Sequence, residues 1–122
     1  MEFFESTDFV KLSNPGVVSE QLVSPHTSRS RRLTITRVTV EPGAVQDRHA
    51  HEASEQIWIA LEGKGELLLS GEKVRHFEAG EAVRFEEGDV HGFSNTGDER
   101  FVYIAVTAPP INFDNAYQGK SD

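Results

Sequence analysis

Of the side chains able to do chemistry in this chain, the histidines hold the most informative positions. His49-Ala50-His51 puts two imidazoles at i and i+2, which on an extended backbone point to the same face. His91 follows forty residues later, just past the acidic turn Glu86-Glu87-Gly88-Asp89. Imidazoles grouped in this way suit zinc, iron, nickel, copper or manganese, the choice resting on the remaining ligands. Glu55 and Gln56 lie close behind the pair and open an apolar run, so either offers an oxygen. Alone, a His-x-His pair reads as a surface feature, and the flanking residues must decide. The chain has no cysteine, which excludes disulfides, Cys-ligated zinc, iron–sulfur clusters and thiol nucleophiles.

The elements that must carry these residues are strands. Leu33 to Val40 is rich in β-branched residues and stops at Pro42-Gly43. Short apolar runs follow at Gln56 to Leu61, Glu66 to Leu69, Lys73 to Phe77, Ala82 to Phe85, His91 to Asn95 and Phe101 to Thr107. Gly63, Gly71, Gly80, Gly88 and Gly97 punctuate them, and glycine supplies φ > 0 in tight turns at little steric cost. Short strands at this spacing indicate an all-β sandwich or barrel. Residues 1–32 read as an N-terminal arm and edge strand, 33–110 as the barrel and 111–122 as a C-terminal tail.

At 122 residues the chain is one domain. Twelve basic against 20 acidic residues give a net charge of −8, which argues against nucleic acid or an anionic membrane as partner. The only basic cluster, Arg29, Arg31 and Arg32 with Arg37 nearby, reads as a solvated loop and strand start. The N-terminus lacks a basic region followed by an apolar stretch, and no apolar run approaches the ~20 residues of a membrane span. A cytoplasmic protein is the expectation.

Two stretches resemble the paired motifs of the cupin superfamily, specifically its small single-domain members of the cupin 2 type. Gly43, His49, His51, Gln56 and Gly63 follow the first motif, with Gln56 where the family usually has Glu. Gly80, Gly88, His91 and Asn95 follow the second, with Glu86 in place of the usual Pro. The resemblance implies a double-stranded β-helix, or jelly-roll barrel. It also implies a divalent metal ion (Zn, Ni, Fe or Mn) on His49, His51, Gln56 and His91. Glu55 is the rival for the fourth position. Counting back from Gly63 selects Gln56, and strand alternation then turns Gln56, Trp58 and Ala60 inward, with Ile57, Ile59 and Leu61 facing the other layer. A Gln ligand leaves the ion its full +2 charge, which favours Lewis-acid chemistry over oxygen chemistry.

Beyond the ligands, cupin precedent turns Phe101, Tyr103 and Ala105 inward. Tyr103 is then a candidate general acid or base, or a packed core tyrosine. Trp58 and Arg84 are candidate pocket residues, Trp58 also reading as core and Arg84 as a solvent-facing edge residue. His76 and His26 read as surface or loop positions. The resemblance implies a metal-dependent lyase or isomerase acting on a small polar substrate such as a sugar acid. A metal-dependent dioxygenase and a non-catalytic small-molecule sensor are the alternatives. Small cupins acting on unsaturated uronic acids carry an acid where Ala105 stands before Pro109-Pro110. The Phe3-Phe4 and Phe9-Val10 pairs suit an arm exchanged in a homodimer.

Overall fold

The computed structural model describes residues 1–117 and 119–121, with Asn115 and 119–121 by backbone alone. Gln118 and Asp122 of the expected tail lie outside the described residues. Among the described residues the regular structure is almost wholly β, arranged in two antiparallel sheets. Strands β1 (Val10–Asn14), β2 (Val17–Val23), β3 (Thr34–Val40), β5 (Glu55–Glu62), β8 (Ala82–Phe85), β10 (Phe101–Ala108) and β11 (Gly119–Ser121) form the larger sheet, in the order β11-β1-β2-β3-β10-β5-β8. Strands β4 (Val45–His49), β6 (Lys64–Leu69), β7 (Val74–Glu78) and β9 (His91–Ser94) form the smaller, in the order β4-β9-β6-β7. This is the double-stranded β-helix architecture, with the two sheets facing each other and not hydrogen-bonded into a closed barrel. Among the described residues no helix is long and apolar enough to cross a membrane.

The period of two decides what each strand buries. In β3, Thr34, Thr36, Val38 and Val40 are buried while Ile35, Arg37 and Thr39 alternate with them on the outer face. In β10 the inward set is Phe101, Tyr103, Ala105 and Thr107, and in β5 it is Gln56, Trp58 and Ala60. The companions of that last set do not meet the other layer as expected. Ile59 is 41% and Leu61 49% exposed, because the larger sheet is covered on one face only.

The stretch expected as an arm and edge strand contains two strands. Residues 10–23 form the β1–β2 hairpin, and β2 continues the ladder onto β3 from Val17 opposite Val40 to Val23 opposite Ile35. Packing is uneven along the molecule. One end is filled by Leu67, Phe77, Phe93 and Phe101, with the rings of Phe93 and Phe101 stacked at 4.1 Å. Such a pair adds about 0.5–1.5 kcal/mol beyond its buried area. The other end is left open as a cavity of about 740 Å³ between the sheets.

Two glycines allow close approaches between strands, Gly63 at the packed end and Gly92 where the histidines sit. Gly63 has φ +83°, and a Cβ there would lie 2.4 Å from the Arg100 carbonyl, so the β5–β6 connection can pass the start of β10 only as glycine. Gly92 follows His91, and a Cβ there would lie 2.5 Å from the Gln46 carbonyl. Its bare backbone lets β4 approach β9 closely enough for His49 to pair with His91.

Candidate metal centre

Three local structures deliver the three imidazoles. His49 ends β4 and His51 lies in the following loop, while His91 begins β9. The turn before β9 is held by Asp89, whose carboxylate accepts the Glu86 N–H at 2.9 Å while its own N–H donates to the Glu86 carbonyl at 3.0 Å. Glu86, standing where the motif usually has Pro, thus uses an N–H that Pro lacks. The same turn is tied to the first histidine pair by the Gly88 N–H, which donates to the His51 carbonyl at 2.9 Å.

The ring centroids of His49, His51 and His91 are 4.4 to 5.3 Å apart. One ring nitrogen from each lies within 4.8 Å of the other two. Their hydrogen bonds define which nitrogen is free. His49 Nδ1 is 2.8 Å from the Asp47 carbonyl and His91 Nδ1 2.9 Å from the Asp89 carbonyl. A carbonyl only accepts, so each Nδ1 carries a proton, and Nε2 is the nitrogen that presents a lone pair in the neutral ring. His51 Nε2 is buried and has no hydrogen-bond partner among the described residues. Burial pushes the His91 imidazole down to about 4, against an ordinary 6.5. Burial, with the neighbouring His49, also lowers His51. Both are neutral at pH 7, the state a metal requires.

Gln56 and Glu55 part company here. Glu55 turns to the outer face and accepts from Arg84 at 2.9 Å. Gln56 is 4% exposed and faces the histidines. Its orientation is forced from two sides: the Trp58 indole N–H donates to Oε1 at 2.8 Å, and Nε2 donates to the Thr107 hydroxyl at 2.8 Å. An indole can only donate, so it is Oε1 that lies 3.1 Å from His91 Nε2. Two lone-pair atoms face each other at that distance, a repulsive contact that a cation between them would turn into an attraction. Together with the orphaned His51 Nε2, this donor set fits a divalent ion.

The remaining candidates fall on both sides of the sheet. Trp58 is buried beneath the histidines, edge-on to His91 at 5.5 Å and stacked on Tyr103 at 4.1 Å. Tyr103 is 2% exposed and its hydroxyl donates to Gln46 Oε1 at 2.9 Å. Burial holds that phenol well above its ordinary value of 10, so it stays protonated. Arg84 is corrected as a pocket residue: it lies on the outer face, clasped by Glu55 and Glu86, because the register of β8 on β5 pairs it with the outward Ile57. Asn95, matched in the second motif, is a turn anchor, donating to the carbonyls of Val40 and Glu99 and accepting the Gly97 N–H. His26 pairs with Asp114, and His76 with Glu78, away from the cluster.

Other cavity residues were not foreseen. Ser19 and Thr36 sit at inward positions of β2 and β3, and Gln46 comes from β4. The C-terminal segment supplies Phe113, edge-on to His51 at 6.0 Å, and Tyr117, which hydrogen-bonds Ser19. That segment is fastened by Ser54, donating to the Pro109 carbonyl at 2.8 Å, and by the His26–Asp114 pair at 2.9 Å. Alternation alone could have flagged Ser19 and Thr36, but nothing in the pattern after Pro110 signals Phe113 or Tyr117.

Fold and site together define a small jelly-roll protein with a three-histidine cleft between its sheets. The family model for the cupin domain matches residues 36–107, and the chain belongs to that family. Its fold is similar to KdgF from Halomonas sp., with a TM-score of 0.77 at 22% identity over 92% of this chain and 96% of that one. A cupin 2 conserved barrel domain protein from Salinispora arenicola is 30% identical over 88% of this chain and 87% of its own, with a TM-score of 0.70. An uncharacterized protein of Methanocaldococcus jannaschii is 22% identical over 104 residues, 85% of this chain and 82% of its own.

Proposed function

We propose that this cupin is a cytoplasmic, divalent-metal-dependent enzyme of lyase or isomerase type acting on a small polar substrate. The observation that carries the reading is the donor set: three imidazole nitrogens and the Gln56 amide oxygen converge beside a cavity sized for a small molecule. His49, His51, His91 and Gln56 would hold the ion. Bound there without an anionic ligand, it would supply Lewis acidity toward a carbonyl or hydroxyl oxygen. Asp47 and Asp89 orient the imidazoles through their carbonyls, and Trp58 and Thr107 hold the Gln56 amide in place. Tyr103 contributes a neutral hydrogen bond, shared with Gln46, for orienting a substrate, and its raised phenol argues against a role as base. Tyr103→Phe is expected to lower kcat/KM roughly tenfold with metal affinity unchanged.

The test is hydrogen exchange next to a carbonyl. Dihydroxyacetone and related hydroxyketones in D₂O, followed by NMR, should lose their carbon-bound protons only with metal-loaded protein, and His91→Ala should abolish the exchange. Oxygen consumption in place of exchange would make the protein a dioxygenase. A second reading, a non-catalytic binding module, is favoured by one feature: Ala105 leaves the cavity wall beside Trp58 without an acid or base. Saturable binding with no chemical change would establish that reading instead.

The outer face supports a homodimer as part of the same proposal. Val106 lies between Ile35 and Ile57, and Ile104 between Arg37 and Ile59, giving an apolar block on the uncovered side of the larger sheet. The Arg37–Glu20 and Arg84–Glu55 pairs border it with both signs of charge, as a self-complementary twofold contact requires.

A further inference from the structure

The wall of the cavity away from the histidines is polar and uncharged. Ser19, Thr36, Gln46, Tyr103 and Tyr117 supply its hydroxyls and an amide, and Val17, Val38 and Ala105 fill the spaces between them. Thr36 is buried at an inward position of β3, and its hydroxyl-bearing side chain lines the cavity. Ser19 accepts the Gln21 amide N–H at 2.8 Å and also bonds Tyr117. Beside Thr36 on β10 stands Ala105, whose small side chain keeps the space in front of that hydroxyl open.

Among the described residues, the arginines nearest the cavity and the sheet that forms its wall are engaged elsewhere. Arg48 borders the cavity, but its guanidinium donates to the carbonyls of Leu69 at 2.7 Å and Lys73 at 3.4 Å. Arg37 is bound to Glu20, and Arg84 to Glu55 and Glu86, on the outer face of the larger sheet. Among the described residues that border the cavity, the one carboxylate, Asp47, adds a repulsive charge. An anionic group buried against such a wall loses its hydration without gaining a charged partner, a costly exchange.

We infer that the cavity takes a neutral, oxygen-rich substrate, one oxygen directed to the histidine cluster and the hydroxyl or carbonyl groups at its far end read by Thr36, Ser19 and Tyr117. This rests on the metal reading above and narrows it: a carboxylate fits only at the metal end, and a sugar acid with its acid group distal is excluded. Thr36, Ser19 and Tyr117 are then specificity-determining residues, and none of them touches the histidines.

Kojic acid and comenic acid test this directly. They share one chelating hydroxypyranone head and differ at the far position, where the first has a hydroxymethyl group and the second a carboxylate. Metal-free protein is first titrated with Zn²⁺, then the loaded protein with each pyranone by calorimetry, with free Zn²⁺ as control. Kojic acid is expected to bind at least tenfold tighter than comenic acid, a preference that free Zn²⁺ does not show. Thr36→Val and Tyr117→Phe, both close in shape to the native residues, should each narrow it severalfold by weakening kojic acid alone. Equal or tighter binding of comenic acid, or no binding of either by loaded protein, would overturn the inference. Failure to take up Zn²⁺ at all would overturn the metal reading, and the inference with it.

Discussion

His91 answers to the core and to the site at once. Its ring stacks on Phe85 at 4.1 Å and meets Trp58 edge-on, yet Nε2 must remain a free lone pair. Burial keeps it neutral down to about pH 4, whereas in the unfolded chain it takes up its proton near 6.5. Between those values the unfolded chain binds the additional proton, so stability rises with pH across the window. The contribution is fully present above pH 6.5 and is lost as pH falls towards 4. His51, lowered in the same direction, adds to it with the same sign. The melting temperature of metal-free protein is therefore expected to drop steadily through this range, and His91→Asn should flatten the slope; an unchanged slope would place the acid sensitivity elsewhere. Gln56 is the second telling residue. Gln56→Ala should weaken metal binding at least tenfold and Glu55→Ala less than twofold, since Glu55 is bound to Arg84 on the opposite face. The reverse ranking would remove Gln56 from the ligand set.

The strands separate what patterning reveals from what it hides. Strands β3, β5 and β10 are legible because they are central, β-branched and alternating, and the motif spacing selects Gln56 over Glu55 for the inward position. Strand β4, Val-Gln-Asp-Arg-His, escapes notice because it lies at the edge of the smaller sheet with most of its residues exposed, so no apolar face marks it. Strand β2 is obscured for another reason: its inward residues include Ser19 and Gln21, polar because they face or flank the cavity. The same polarity that conceals the element therefore belongs to the site. Arg84 was ambiguous because a charge inside a strand pattern fits either face until the register on β5 is known. Gly92→Ala should push β4 away from β9, costing about 1–3 kcal/mol of stability and weakening metal binding, although Gly92 contributes no ligand. Unchanged stability and metal affinity would show that the close approach of the strands is not needed.

For the whole molecule the division of labour runs along the axis of the two sheets, with aromatic packing at one end and the cavity at the other. The stacked end can tolerate no opening, and the C-terminal segment, pinned at Pro109 and Asp114, covers part of the cavity with Phe113 and Tyr117. The larger sheet is left with an apolar outer face, and under the proposed dimer a second copy covers it. Sedimentation is expected to report twice the 13.6 kDa of one chain. Replacing Ile59 and Ile104 with Glu should return the mass to that of one chain while the far-ultraviolet spectrum stays native. A monomeric wild-type protein would contradict the dimer and leave the site unaffected.

Every role assigned to the site depends on a bound ion, so the most direct test is a calorimetric titration of metal-free protein with Zn²⁺ and Ni²⁺, alongside elemental analysis of protein purified without added metal. One ion per chain is expected, with affinity reduced at least tenfold in His49→Ala and again in His91→Ala. Absence of saturable uptake, or uptake that survives both substitutions unchanged, would contradict it.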